Sequence, residues 1–352
     1  MSLANYHIYT DKEHLGEKDY AISFARFVAT ISIFLCHFYQ YYCDGLTFWF
    51  NVSVQMFFFL SGLLYANRSI DDPIAFLKKG VKKILVPYYI YVIIACVIGR
   101  IWIPEDCTVE MVIKLFLLDA EGSYTALNNL WFISHILLCY LATPLFLKWL
   151  DYLEQKKSVI LVLCVLLTLV GILVFFYKYA PYYKPWDTLC YFVGIVYGRM
   201  TKNWKSIWVT VMNLFFIIMA VATKAIYLIS QNHMDEIYAN DLADLQYQLY
   251  KVSHAFLGIA IVIVCVFIYK LIASLVSLRW FEPVLRMSDR YSYFIYLTHQ
   301  IFMLGAFSLC ALIPSQGKAL FVIAICTLLA AVLLYWLSQI VFRLGEKETK
   351  NK

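Results

Sequence analysis

AISFARFVATISIFLCHFYQYY, residues 21–42, decides the fold. The run holds no acidic residue, and its only strongly basic or imidazole side chains are Arg26 and His37. About 20 apolar residues in a helix rising 1.5 Å each cross roughly 30 Å of hydrocarbon. The stretch therefore predicts a transmembrane helix, and an ionisable side chain inside one costs about 2.5–3.5 kcal/mol at the centre. Residues kept at that cost are functional candidates. Eleven positions at about 100° each amount to three turns plus roughly 20°, so Arg26 and His37 share one helix face, about 16 Å apart along the axis.

The rest of the chain reads the same way. Of 352 residues, 62% are hydrophobic and 15% charged, against about 25% charged in a soluble domain. Further apolar stretches run over 47–66, 84–103, 127–147, 158–177, 207–229, 247–269, 291–313 and 319–341, with a shorter one at 186–198. If all ten cross and residues 1–19 are cytoplasmic, 21 Lys and Arg fall on the inner side, against Lys114, Lys178, Lys184 and Lys318 outside. That asymmetry is the topology signal of a polytopic protein, and it disappears if 186–198 fails to cross. The expectation is an all-α integral membrane protein of about ten transmembrane helices with both termini cytoplasmic. Its parts are a cytoplasmic segment 1–19, a membrane domain 20–342 and a basic tail 343–352.

Several function classes are excluded at this stage. The net charge of +6 belongs to inner-face topology residues, so no nucleic-acid partner is expected. The ten cysteines are scattered through apolar runs without metal-ligand or redox spacing, which predicts inert buried thiols and no metal site. An enzyme and a carrier of glycans or lipids fit the hydropathy equally well, although the internal repeat common in transporters is not evident.

With the N-terminus inside, Arg26 lies towards the cytoplasm and His37 deeper. The offset suits a long ligand whose anionic end stays near the inner face while its reactive end reaches into the membrane. Coenzyme A has that shape, with phosphate at Arg26 and thioester near His37. The second span leads into Arg68, Lys78, Lys79, Lys82 and Lys83. These serve as topology signals and also as a cationic mouth that concentrates an anionic donor.

The order of these pieces resembles the acyltransferase type 3 family of polytopic membrane enzymes. The matching elements are Arg26 ten residues before His37, FFFLSG (57–62), the basic segment ending in Pro87 and Tyr88, LWFIS (130–134), YFVGIVYGR (191–199) and YSYFIYLTH (291–299). The resemblance implies about ten spans and transfer of an acetyl or similar short acyl group from acyl-CoA to a hydroxyl of a surface or lipid-linked carbohydrate. Acyl-CoA would be a co-substrate, with no permanently bound cofactor. The resemblance makes Arg26 and His37 the catalytic pair; the charge reading puts Arg26, Arg68, Lys79, Lys82 and Lys83 on the donor, with lysine where the family's segment is commonly Arg-rich. It marks Tyr296 and His299 as pocket residues. Trp131 reads first as an interfacial aromatic and second as a lining of the acceptor site. His135 stands where many family members have Glu. Lys251 and His254 read as residues satisfying local hydrogen bonds, and Ser61 and Gly62 as a site of close helix packing. The expected setting is a bacterial cytoplasmic membrane, with membrane lipid, donor and carbohydrate acceptor as partners.

Overall fold

The computed structural model describes residues 19–103, 105, 107–120, 125–155, 184–239 and 242–350, and every regular element among them is helical. Among the described residues seven helices are long and apolar enough to cross a membrane: 20–41, 46–65, 73–102, 125–154, 206–231, 243–275 and 316–345. The chain is thus an all-α, multi-pass membrane protein. The expected span at 158–177 lies outside the described residues.

The chain forms two compact units interleaved in sequence. The described residues of one fall within 1–29, 51–69 and 143–286, those of the other within 30–50, 70–142 and 287–352. Helix α1 (Tyr20–Tyr41) is continuous through the boundary. It is followed by α2 (Leu46–Phe50), α3 (Ser53–Tyr65), α4 (Pro73–Trp102) and α5 (Val109–Phe116). A 3-10 segment, η1 (Thr125–Leu130), leads into α6 (Trp131–Gln155). Then come α7 (Pro185–Asn203), α8 (Ser206–Gln231), α9 (Met234–Ala239), α10 (Ala243–Leu275) and α11 (Glu282–Thr298). A second 3-10 turn, η2 (Gln300–Phe302), and the short α12 (Leu309–Leu312) precede α13 (Gln316–Lys350).

In the first unit α3 and α7 touch backbone to backbone. A Cβ on Gly62 would collide with the carbonyl of Tyr191, one on Gly194 with that of Phe59, and one on Gly198 with Ala66 and Leu63. Without a solvent that drives apolar faces together, membrane helices gain most from close approach, which small residues permit. The expected packing role of Gly62 is thereby located. The segment 186–198 is a helix within α7 and falls outside the seven apolar helices. Twelve of its residues and near neighbours are buried, including Asp187 and Thr188. Gln55 of α3 donates to Asp187 at 2.5 Å, and the Thr143 and Tyr191 hydroxyls pair at 2.6 Å. Arg199 binds the Ala66 carbonyl and reaches Asp151 at 2.8 Å.

In the second unit α4 begins eleven residues before the apolar run at 84. Asp72 caps it by accepting from the amides of Ile74 and Ala75 at 2.9 and 3.0 Å, with Pro73 at the first helical position. Lys78, Lys79, Lys82 and Lys83 are therefore exposed residues of the first turns of a helix. The Tyr88 hydroxyl donates to the Leu115 carbonyl at 2.6 Å, tying α5 to α4, and that of Tyr293 to Ile84 at 2.8 Å. Phe38 packs with Met303, Leu304, Cys310, Ala319 and Ile323.

The apolar stretch 291–313 is not one continuous helix. It ends at Thr298, passes through η2, and turns at Gly305 with φ 83°. Hydropathy averages over the consecutive polar residues Thr298, His299 and Gln300, whose side chains take up backbone carbonyls and stop the helix. Non-helical backbone at membrane depth is tolerated where protein groups satisfy it, and such breaks commonly line binding sites.

Candidate active site

The break in α11 builds the site. At the C-terminus of the helix the carbonyls of Ile295 and Tyr296 have few helical partners left. Nδ1 of His299 lies 3.0 Å from the Ile295 oxygen and 2.8 Å from the Tyr296 oxygen. Both neighbours are acceptors, so Nδ1 carries the proton and Nε2 keeps its lone pair. The ring is fully buried.

Segment η1 locks against this helix end. The side-chain amide of Asn129 donates to the Tyr296 carbonyl at 2.9 Å, and the Tyr296 hydroxyl returns a hydrogen bond to the Asn129 carbonyl. Gln300 donates to the Thr125 carbonyl at 2.5 Å. This reciprocal pairing holds the start of α6 beside the end of α11. The Phe132 and Tyr296 rings are 5.2 Å apart, and Trp131 meets His135 edge-on at 5.1 Å.

His37 enters from α1. Its ring centre is 5.1 Å from that of His299, at 41°, and His299 is 5.9 Å from Tyr296. Nδ1 of His37 pairs with Oε1 of Gln40 at 2.8 Å, one turn along the helix. With Gln40 as acceptor, Nδ1 is protonated and Nε2 remains a basic nitrogen. A base held by a second group at its far nitrogen is the arrangement general-base catalysis needs.

Of the residues singled out in the sequence, His37, Trp131, His135, Tyr296 and His299 all belong to this unit. His135 donates through Nδ1 to the carbonyl of Trp131 at 2.9 Å, which fastens it to its own helix. Lys79, Lys82 and Lys83 lie in the same unit on the first turns of α4, with Lys82 5.6 Å from the Phe342 ring. Arg26 and Arg68 belong to the other unit. Arg26 precedes His37 by eleven residues on the continuous α1, about 16 Å at helical rise, and the Arg68 guanidinium lies 5.1 Å from the Tyr65 ring. His254 donates to the Tyr250 carbonyl at 2.8 Å, as a local structural role requires, and Lys251 sits against Tyr247 and Tyr250. Among the described residues no three His, Cys, Asp or Glu side chains converge as a metal site.

Sequence reasoning missed three residues here: Gln40, Asn129 and Gln300. Each is an amide side chain next to a recognised landmark, one turn after His37, two residues before Trp131 and directly after His299. The available signal was a polar amide in an apolar run.

The conserved-domain model described as an acyltransferase domain matches residues 19–338. The chain belongs to this family, the acyltransferase type 3 family. No curated protein and no solved structure shows significant similarity to the chain. Family membership makes it a multi-pass membrane acyltransferase. The matched region takes in α1, η1, α11 and η2, and so contains every residue of the site around His37.

Proposed function

We propose that this acyltransferase moves an acetyl or similar short acyl group from cytoplasmic acyl-CoA to a hydroxyl of a surface or lipid-linked carbohydrate, with His37 as general base. The observation that carries the reading is His37 held through Nδ1 by Gln40 and set 5.1 Å from a second, fully buried histidine. In this reading Nε2 of His37 takes the proton from the acceptor hydroxyl. The oxygen attacks the thioester carbonyl, and the tetrahedral intermediate expels the CoA thiolate. The imidazolium returns its proton to that sulfur, which leaves ester and free thiol in balance.

Arg26, Arg68 and the α4 lysines Lys79, Lys82 and Lys83 supply positive charge for the donor phosphates. Lysine does this as a point charge. Trp131, His135, Tyr296 and His299 belong to the acceptor side. The topology that goes with this reading has ten spans with both termini inside, which charge asymmetry between loops favours, in a bacterial cytoplasmic membrane, which a compact free-standing chain suits.

The test measures free thiol released from acetyl-CoA and labelled acetyl transferred to surface glycan, in membranes holding wild type or His37→Ala. Transfer by wild type, with none by an equally abundant alanine variant, supports the assignment. Equal behaviour of the two proteins across acetyl and longer donors removes His37 from the mechanism.

A further inference from the structure

The site has an unusual hydrogen-bond balance. Asn129, His299 and Gln300 are 4%, 0% and 3% exposed, and each directs a donor to a backbone carbonyl. The amide of Asn129 and the Nδ1–H of His299 both go to the Tyr296 carbonyl, at 2.9 and 2.8 Å, and the amide of Gln300 goes to Thr125. These bonds fix which end of each amide is oxygen. Three acceptor atoms are left, Oδ1 of Asn129, Nε2 of His299 and Oε1 of Gln300, all buried and without a hydrogen-bond partner among the described residues.

A buried acceptor left unpaired costs about 1–3 kcal/mol, and native proteins leave only a few per hundred residues. Here three sit in one seam. Asn129 and His299 share a carbonyl, and Gln300 is the next residue in the chain. The three unpartnered atoms are all acceptors, so together they favour a ligand that offers hydrogen-bond donors over a carboxylate or phosphate, which offers none. An ammonium would meet the acceptors, but its charge is costly at membrane depth. Neutral hydroxyl groups meet both conditions.

We infer that Asn129, His299 and Gln300 form a recognition wall that binds the neutral, polyhydroxylated face of the acceptor, through hydroxyls next to the one that is acylated. The inference rests on the proposed function and adds the residues that choose the acceptor and the kind of face they choose. His37 then meets the reacting hydroxyl, while His299 receives a hydrogen bond from a neighbouring hydroxyl of the same sugar ring. His299 is here a specificity residue and His37 the base.

The test uses the full chain in lipid vesicles with acetyl-CoA. The acceptors are methyl pyranosides of glucose, galactose, mannose and N-acetylglucosamine, their monodeoxy derivatives and the corresponding uronates. For the parent sugar that is acetylated, removing a hydroxyl that faces the wall should lower kcat/KM about tenfold or more, because a buried acceptor is left unpaired again. The uronate should fail as an acceptor. In Asn129→Ala and Gln300→Leu, whatever their overall rate, one deoxygenation each should cost nothing further, a coupling that a merely unstable variant does not reproduce.

Wild-type rates within twofold across the deoxy series, or the same discrimination in wild type and variants, overturns the inference while leaving the acyltransferase assignment intact. If no sugar is acetylated, the proposed function is what fails. Binding of the same sugars, followed by the fluorescence of the tryptophans, then decides for the wall: deoxy-sensitive binding that both variants lose supports it, and no binding of any pyranoside overturns it.

Discussion

The imidazole rings of His37 on α1 and His299 at the broken end of α11 lie 5.1 Å apart, centre to centre, and each has its Nδ1 engaged by a neighbour on its own helix. The two are equivalent in chemistry and different in setting. His299 is fully buried, with Nδ1 tied to two backbone carbonyls, so the backbone fixes its orientation. His37 is only partly buried and is steadied by the side-chain amide of an exposed Gln40. The less buried ring, held by a side chain, suits proton transfer, and the buried ring held by backbone suits recognition.

This difference predicts an ordered loss of activity. His37→Ala should lower kcat by about 10²–10⁴-fold, the usual worth of a general base. Gln40→Leu should lower kcat by only about fivefold, the worth of one ordinary hydrogen bond of roughly 1 kcal/mol, and leave the KM for acetyl-CoA unchanged. Steady-state thiol release across the two variants checks the order. A Gln40→Leu defect confined to donor KM would place Gln40 on the donor and not behind the base.

The α3–α7 contact leaves no room for a side chain at Gly62, because the atom in the way is the Tyr191 carbonyl oxygen, part of a helix backbone that cannot swing aside. Gly62→Ala should therefore cost about 1–3 kcal/mol by overpacking, seen as a lower melting temperature of the detergent-solubilised protein. Gly317→Ala is the control. Nothing lies within 4 Å of a Cβ at that position, and in a helix alanine gains up to about 1 kcal/mol over glycine, so its melting temperature should hold or rise.

Much of this architecture was legible in the sequence, for reasons particular elements make plain. Span 20–42 was readable because an apolar run with matched length has one physical outcome in lipid, and α1 closes at Tyr41. Hydropathy could not show the break at Thr298, since the flanking residues 291–297 and 301–313 are themselves apolar and a window average hides three polar positions. Cooperation between distant segments was equally hidden: the Asn129–Tyr296 pairing joins residues 167 positions apart. Histidines stand out in a membrane sequence because they are ionisable. Amides such as Asn129 and Gln300 carry no charge to mark them, although their hydrogen-bonding demand in lipid is as strict.

The exposed lysines on the first turns of α4 act through long-range charge, which salt removes. Lys79→Gln, Lys82→Gln and Lys83→Gln combined should raise the KM for acetyl-CoA about tenfold at low ionic strength, at up to roughly 1 kcal/mol per exposed charge, with kcat little changed. Near 1 M salt, where the screening length is about 3 Å, the two proteins should converge. A KM difference that persists at high salt would mean that these residues contact the donor directly and do not merely attract it.

Topology can be read from one native thiol. Cys43 is exposed, just past the end of α1, with φ 51°, whereas Cys326 is half-buried and the other described cysteines are buried. If α1 runs from the inside outwards, Cys43 faces the exterior, and a membrane-impermeant maleimide added to intact cells should label the protein. Cys43→Ser should remove that label while leaving the protein folded, because the position packs no core. Labelling of Cys43 only in inverted vesicles would reverse α1 and put Arg26 on the far side from cytoplasmic acyl-CoA. The donor path along α1 would then have to be abandoned, even with His37 retained as the base.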